Sequence, residues 1–176
     1  MHLLKDDLDY IKTFDVCHTS CFSSIEAELP TLAKSVAVSF DFSERLDKDY
    51  LRLVCPYLTY AFFSGSKLSE AEVAQLQQFC HGLGVKVVGI TRGGEGAVFS
   101  ENGVVYRQGI IPTQVVDTMG AGDSFIAGFL THYCQHGDMA STLAYAADRA
   151  ANTCRQHGGW GYPHPFVTPW PGCDGN

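Results

Sequence analysis

The sequence predicts an α/β protein with a mainly parallel sheet, and two features of its pattern support this prediction. Short apolar runs alternate along the chain with longer segments of helical periodicity, which is the order of successive βα units. The clearest helical segment, 69–83, is followed directly by an apolar run, 85–91, that has the length of a buried strand. Strands linked by helices in this way pair in parallel, because a parallel pair needs a crossover connection.

The first half of the chain is predicted to contain three strands, at residues 14–18, 35–41 and 60–63. Between them lie two helical segments, 24–33 and 47–58. Pro30 is expected to interrupt the first of these helices, because proline lacks the amide hydrogen that a helix interior needs.

The helix over residues 69–83 has recognisable ends. Ser69 is a good N-cap residue, and Glu72 three residues later completes a capping box. Gly84 is the expected C-cap residue. The apolar stripe of this helix consists of Val73, Leu76, Phe79, Cys80 and Leu83.

The second half begins with the strand 85–91 and continues as a hairpin and two helices. The hairpin strands are predicted at 96–100 and 104–107, joined at Asn102-Gly103, which is a preferred hairpin turn. The helices are predicted at residues 122–134 and 139–155. The domain is expected to cover residues 1–165, and the Pro- and Gly-rich end, 166–176, to form a flexible tail.

Composition bounds the class of protein. The 176 residues fit one domain, and a hydrophobic fraction of 45% is enough to bury a core. The net charge of −7 argues against nucleic acid or an anionic membrane as a partner. No apolar run reaches the ~20 residues of a membrane span, and the start is too charged for a signal peptide.

The seven cysteines are odd in number and irregular in spacing, so they are expected to be reduced thiols of a cytoplasmic protein. Cys17-His18-Thr19-Ser20-Cys21 resembles half of a metal site. No second ligand pair with zinc-like spacing follows it, which argues against a metal there.

The segment 117–123, Asp-Thr-Met-Gly-Ala-Gly-Asp, precedes the predicted helix 122–134. Small residues that lead into a helix leave backbone amides facing outward, and the helix dipole favours an anion there. Asp123 at such a place can accept a proton from a hydroxyl that attacks a bound phosphate. The alternative from these residues alone is a helix start that is capped for stability.

A second motif, Thr91-Arg92-Gly93-Gly94-Glu95-Gly96, lies between two predicted strands. Glycines let the backbone turn sharply and approach a ligand closely, and strand ends are where open α/β sheets bind ligands. Turns of this kind between strands are also common as purely structural features. The motif is not a P-loop, because no Gly-x-x-x-x-Gly-Lys-Ser/Thr pattern occurs in the chain.

Together the two motifs resemble those of the ribokinase-like (PfkB) carbohydrate kinases, Thr-x-Gly-x-x-Gly followed by Asp/Asn-Thr-x-Gly-Ala-Gly-Asp. The resemblance covers residues 15–165, and the segments 15–24, 39–43 and 157–160 look most like the fructoselysine 6-kinase subgroup. It implies a three-layer α/β fold with a mainly parallel sheet. The chain corresponds to the C-terminal portion of that fold and is expected to lack the N-terminal lid and sugar-binding segment.

The resemblance also implies an activity, the ATP-dependent phosphorylation of a sugar or sugar-amine hydroxyl. Asp123 would be the general base and a contact to the sugar, and Mg²⁺ would accompany ATP. The implied anion hole is formed by the amides of Gly120, Ala121 and Gly122, and the implied ATP contacts are Thr91, Gly93, Gly96 and Asn152. Asp117 and the carbonyl of Met119 would contribute to a potassium site.

Two strand-end residues are candidates for the sugar side of the site. His18 is the last residue of the first predicted strand and Ser20 lies just beyond it, at a strand end that would face the sugar. The alternative is that both simply terminate the strand.

The chain departs from the family pattern at residues 64–67, Ser-Gly-Ser-Lys, where many relatives carry Asn-x-x-Glu for the Mg²⁺-bound phosphate. Metal handling would then rest on water and phosphate alone, or be impaired. Lys67 either meets a phosphate or is simply solvated.

Two other functions stay open at this point. One is a catalytically silent nucleotide-binding or interaction module, which could form a homodimer through surfaces that the lid normally covers. The other is a nucleoside kinase on the same scaffold. The segment of the family fold that contacts the sugar would distinguish a nucleoside substrate from a sugar.

Overall fold

The computed structural model describes residues 2–159, which form a six-stranded sheet with helices on both faces. The strands are β1 Val16–Ser20, β2 Ala37–Asp41, β3 Tyr60–Ser64, β4 Val87–Thr91, β5 Ala97–Glu101 and β6 Val104–Gln108. The helices are α1 Lys5–Ile11, α2 Leu29–Leu32, α3 Lys48–Val54, α4 Glu70–Gly82, α5 Ala121–His136 and α6 Met139–Thr153. Short 3₁₀ turns occur at Glu26–Glu28, Cys55–Tyr57 and Gly93–Glu95.

The strands lie in the sheet in chain order, β1 to β6. β1 to β4 are parallel, and β5 and β6 add to β4 as an antiparallel hairpin, which confirms the mainly parallel sheet. The register pairs Ser20 with Asp41 and Ser64 with Thr91. The carboxyl ends of the four parallel strands therefore meet at one edge of the sheet.

Two apolar layers fill the space between the sheet and its helices, which confirms the three-layer architecture. On one face, α2, α3 and α4 pack on side chains such as Phe63, and on the other α5 and α6 pack on neighbours such as Phe62. Adjacent residues take opposite faces because side chains alternate along a strand. Phe129 of α5 is fully buried and its ring contacts those of Phe62 and Phe99.

The structure confirms the capping box predicted for α4 and the turn predicted for the hairpin. Ser69 and Glu72 form the predicted capping box at α4, with the Ser69 amide 2.8 Å from a Glu72 carboxylate oxygen. Asn102 and Gly103 have φ of +48° and +88° at the hairpin turn. The C-cap of α4 is Leu83 rather than the predicted Gly84, which comes one residue later and has φ of +100°.

The structure differs from the sequence predictions at several element ends. β1 begins two residues later than predicted and extends to Ser20, and α1 was not predicted. Pro30 stands in the first turn of α2 rather than interrupting a helix, because the first turn needs no amide donor. α3 ends at Val54, before Pro56, which cannot continue the helical hydrogen bonds. The predicted tail, 166–176, lies outside the described residues.

Candidate active site

A cavity of about 500 Å³ opens at the carboxyl ends of the parallel strands. Each of these strands contributes its last residue to the lining, and the first turn of α5 closes the opposite side. The residues concerned are Ser20, Asp41, Ser64 and Thr91 from the strands, and Gly122 and Asp123 from α5. The sheet edge and the helix start that the sequence singled out separately therefore form one site.

The turn before α5 is built on glycine. Gly120 caps the helix with φ of +75°, and a Cβ placed there would lie 3.0 Å from the Gly159 Cα. The Ala121 amide donates to the Thr118 carbonyl at 3.1 Å, so this amide of the predicted anion hole has an acceptor within the turn. Gly122 is the member of that set that lines the cavity.

Asp117 ties this turn to the segment after α6. Its two carboxylate oxygens accept the amides of Met119 at 3.0 Å and Gly158 at 2.9 Å. These hydrogen bonds lower the pKa of the Asp117 carboxyl. The predicted role of Asp117 at a potassium ion is thus joined by a structural one, since it fixes the loop in front of the helix start.

Asp123 is exposed in the first turn of α5 and lines the cavity together with His18, in the middle of β1, and Asp41, at the end of β2. Its charge acts on Asp41 and on His18. The structure therefore brings the predicted base, Asp123, together with Thr91, His18 and Ser20 in one cavity.

Asp41 is a member of the site that the sequence analysis did not single out. One carboxylate oxygen accepts the Ser43 amide at 2.8 Å. Burial raises the pKa of the Asp41 carboxyl, and Asp123 raises it further, while the Ser43 amide and His18 oppose the shift. An acid that ends a buried apolar strand, as Asp41 ends β2 directly after Phe40, is the sequence signal that could have revealed it.

His18 is held on the same face of the sheet. Its Nδ1 lies 2.9 Å from the Ser39 hydroxyl. Burial lowers the pKa of the His18 ring, and the charges of Asp41 and Asp123 oppose this shift. A ring with a lowered pKa is neutral at pH 7, so it presents a hydrogen-bonding group rather than a charge to the cavity. Ser20 adds a hydroxyl, 3.3 Å from that of Ser23.

Residues of the second motif, 91–96, also make contacts that stabilise the fold. The Thr91 hydroxyl donates to the Phe63 carbonyl at 3.3 Å, and Thr91 lines the cavity. Gly93 and Gly96 have φ of +58° and +86°. A Cβ at Gly96 would lie 2.0 Å from the Gln108 carbonyl oxygen, so the close approach of β6 by itself requires glycine there.

Four other predicted residues, Gly93, Gly96, Asn152 and Lys67, are not among those that line the cavity. Asn152, on α6, donates to Asp148 at 3.0 Å. Lys67 is exposed and lies 3.6 Å from Glu44 in a surface ion pair, which favours the solvated alternative for its role. In the part of the chain that the structure describes, no group of three or more His, Cys, Asp or Glu side chains is arranged to hold a metal ion.

The sequence profile of the pfkB family carbohydrate kinases matches residues 7–164. The fructosamine kinase FrlD of Bacillus subtilis is 51% identical over 162 residues, which cover 92% of this chain and 57% of that protein. The fructoselysine 6-kinase of Shigella flexneri is 32% identical over 160 residues, covering 90% of this chain and 60% of that protein. The chain therefore spans less than two thirds of the length of these curated relatives.

Among solved structures, the ribokinase of Arabidopsis thaliana complexed with ribose and ATP superposes with a TM-score of 0.78. It is 23% identical in sequence, and the match covers 89% of this chain and 55% of that one. At this identity the likeness concerns the fold, and it agrees with the three layers described above. Among the residues that the structure describes, no helix is long and apolar enough to cross a membrane.

Proposed function

The chain belongs to the pfkB family of carbohydrate kinases, and we propose that it carries the nucleotide site and the catalytic base of an ATP-dependent sugar kinase. The observation that carries this proposal is that Asp123 shares one cavity with Thr91 and the start of α5. The turn after β4 can receive a nucleotide, and the amides at the start of α5 can bind a phosphate. Asp123 lies at the same helix start.

The proposed substrate is a sugar that carries an amino substituent, of the fructosamine or fructoselysine type. Relatives named for such substrates match over 92% and 90% of this chain. The cavity supports the same choice, because it is lined by the carboxylates of Asp41 and Asp123, and its described lining contains no Lys or Arg. A cationic amine suits such a cavity better than an acidic sugar does.

Asp123 acts as the general base in this proposal. It takes the proton of one sugar hydroxyl while that oxygen attacks the γ-phosphorus of ATP, and the bond from that phosphorus to the β-bridging oxygen breaks to release ADP. Of the three predicted amides at the start of α5, those of Gly120 and Gly122 are the candidates that face the transferring phosphate, because the Ala121 amide already donates to the Thr118 carbonyl. His18 and Ser20 are placed to hydrogen-bond the hydroxyls of the sugar.

The residues of the cavity fit a hard cation that accompanies ATP. Asp41 has one carboxylate oxygen engaged by Ser43, which leaves acceptor capacity for Mg²⁺ or its water ligands. Asp41 would thereby serve in place of the absent Asn-x-x-Glu motif. Mg²⁺ would neutralise charge on the phosphates. Asp117 retains acceptor positions beside the Met119 and Gly158 amides, so it fits a potassium ion next to the loop.

The remaining nucleotide contacts of the proposal are Thr91, Gly93 and Gly96 in the turn after β4, and Asn152 on α6. We place the protein in the cytoplasm, where ATP is made and where the free thiols described in the structure stay reduced.

One observation favours the alternative, a module that binds nucleotide without turnover. Asp123 is exposed, and Phe22 at the cavity is 81% exposed. Phosphoryl transfer in kinases depends on positioning the substrates in a site that excludes water. Asp123 and Phe22 are more exposed to solvent than such a site requires.

The release of ADP separates the two functions. The full chain is incubated with ATP, Mg²⁺ and either fructoselysine, fructose or no sugar. The proposal predicts ADP release that depends on sugar and is faster with fructoselysine than with fructose. Nucleotide binding without sugar-dependent ADP release supports the silent module, and absence of nucleotide binding contradicts both.

A further inference from the structure

The Thr91–Gly96 turn contains a buried arginine, Arg92, which is not among the residues that line the cavity. The Arg92 guanidinium forms ion pairs with Glu70 at the start of α4 and with Glu95 in the turn itself, the latter at 2.8 Å. It also donates to the Leu68 carbonyl at 2.9 Å. Arg92 therefore links the turn to the loop and helix that follow β3.

The burial of this side chain is unusual for an arginine. Arg92 is 9% exposed, whereas its partners Glu70 and Glu95 are 56% and 65% exposed. Its Nε has no hydrogen-bond partner among the described residues. A buried guanidinium is tolerated only where charges and carbonyls compensate for lost water, so this one is held in a fixed position by its partners.

The backbone of Arg92 closes the same turn that its side chain anchors. The Arg92 amide donates to the Gly96 carbonyl at 2.7 Å, and the Glu95 amide donates to the Arg92 carbonyl at 3.1 Å. Thr91, the preceding residue, lines the cavity. A shift of Arg92 would thus move the segment that faces the proposed nucleotide.

We propose that Arg92 is a positioning residue. Its ion pair with Glu70 holds the Thr91–Gly96 turn in the shape that receives the nucleotide. The inference rests on the proposed ATP site. Arg92 does not touch the substrate in this account, and it acts through the backbone of the turn. The planar fork of arginine suits this position, because one terminal nitrogen pairs with Glu70 while the other pairs with Glu95 and donates to the Leu68 carbonyl, whereas lysine has a single terminal nitrogen.

Arg107 of β6 provides a matched control. It pairs with the same Glu70 at 2.5 Å, but its side chain is 61% exposed. Loss of Arg107 removes an ion pair to Glu70 and leaves the contacts of Arg92 to the turn in place.

The test is the affinity of the full chain for a fluorescent ATP analogue with Mg²⁺ and without sugar, in wild type, R92M, R92K and R107M. The inference predicts that R92M weakens binding of the ATP analogue about tenfold, with R92K between R92M and wild type, and that R107M changes this affinity less than about twofold.

Binding of fructoselysine in the absence of nucleotide should be equal in all four proteins. Equal nucleotide affinity of R92M and R107M would overturn the inference. If R92M does not fold, E70Q replaces it, with the same expected direction.

Hydrogen exchange at the Glu95 and Gly96 amides separates a failure of this inference from a failure of the proposed function. Exchange that is faster in R92K than in R107M supports the anchoring even if the wild-type chain binds no nucleotide, in which case the ATP site alone is contradicted. Exchange that is equal in R92K and R107M contradicts the anchoring.

Discussion

The Asp117 carboxylate accepts the amide of Gly158 at 2.9 Å, across 41 residues of chain. This hydrogen bond joins the loop in front of α5 to the segment after α6. The Ser124 and Thr153 hydroxyls, 2.7 Å apart, join the first turn of α5 to the last residue of α6. The helix start that faces the cavity is therefore positioned by contacts from a segment that follows it in the chain.

The Asp117→Asn variant should lose both stability and nucleotide affinity. The pKa of Asp117 is lowered in the folded chain, so its stabilising effect is present above the pKa of an unfolded aspartate and is lost as pH falls through the lower folded value. Thermal melts at pH 7 and pH 3 should differ less for D117N than for wild type. Asp138→Asn is the control, because Asp138 caps α6 through the Ser141 amide, away from the cavity. D138N should lower the melting temperature and leave nucleotide binding unchanged.

The Asp41→Asn variant should gain stability at pH 7 while it loses metal-dependent function. Burial raises the pKa of Asp41, so the folded state favours the protonated form and pays a penalty as pH rises through the folded pKa. The gain in melting temperature should be present at pH 7 and vanish below the pKa of an unfolded aspartate. The Mg²⁺ concentration needed for half-maximal nucleotide binding should rise about tenfold. An unchanged Mg²⁺ requirement would contradict the role of Asp41 at the cation.

The Gly96→Ala variant should destabilise the fold by about 2 kcal/mol or more, because the added Cβ meets the Gln108 carbonyl and the backbone has positive φ. Gly94→Ala is the control, since a Cβ there meets no atom within 4 Å. Urea unfolding measures both. Equal stabilities of G96A and G94A would show that β6 can move away from the turn.

The Phe129→Ala variant should lower the free energy of unfolding by about 3–5 kcal/mol, the usual range for a buried phenylalanine. Phe129 is fully buried between the sheet and α5, with rings of β3 and β5 around it. Urea unfolding checks this value. A loss below about 1 kcal/mol would mean that the side chains between α5 and the sheet repack into the space left by the phenyl ring.

The sequence predicted those parts of the fold that depend on neighbours in the chain. The capping box of Ser69 and Glu72 and the turn at Asn102-Gly103 are local, and both are confirmed. Pro30 shows the limit of such arguments, since proline either breaks a helix or begins one, and the sequence gives no means of telling which.

The composition of the cavity depended on strand register and could be predicted only in part. Motif resemblance pointed to Asp123 and Thr91, and a predicted strand end pointed to His18 and Ser20; the structure places all four in one cavity. Asp41 reaches the same cavity through the pairing of β2 between β1 and β3, which is a relationship between distant segments. The burial of Arg92 likewise depends on the position of α4 and could not be seen in the motif.

The most direct test of the account is the Asp123→Asn variant of the full chain, assayed for sugar-dependent ADP release and for nucleotide affinity. The account predicts that turnover of fructoselysine falls about 10²–10⁴-fold, because the amide cannot accept the hydroxyl proton. Nucleotide affinity should stay within about twofold of wild type, because the amides of the helix start are unchanged. Turnover by D123N equal to that of wild type would contradict the assignment of Asp123 as the base.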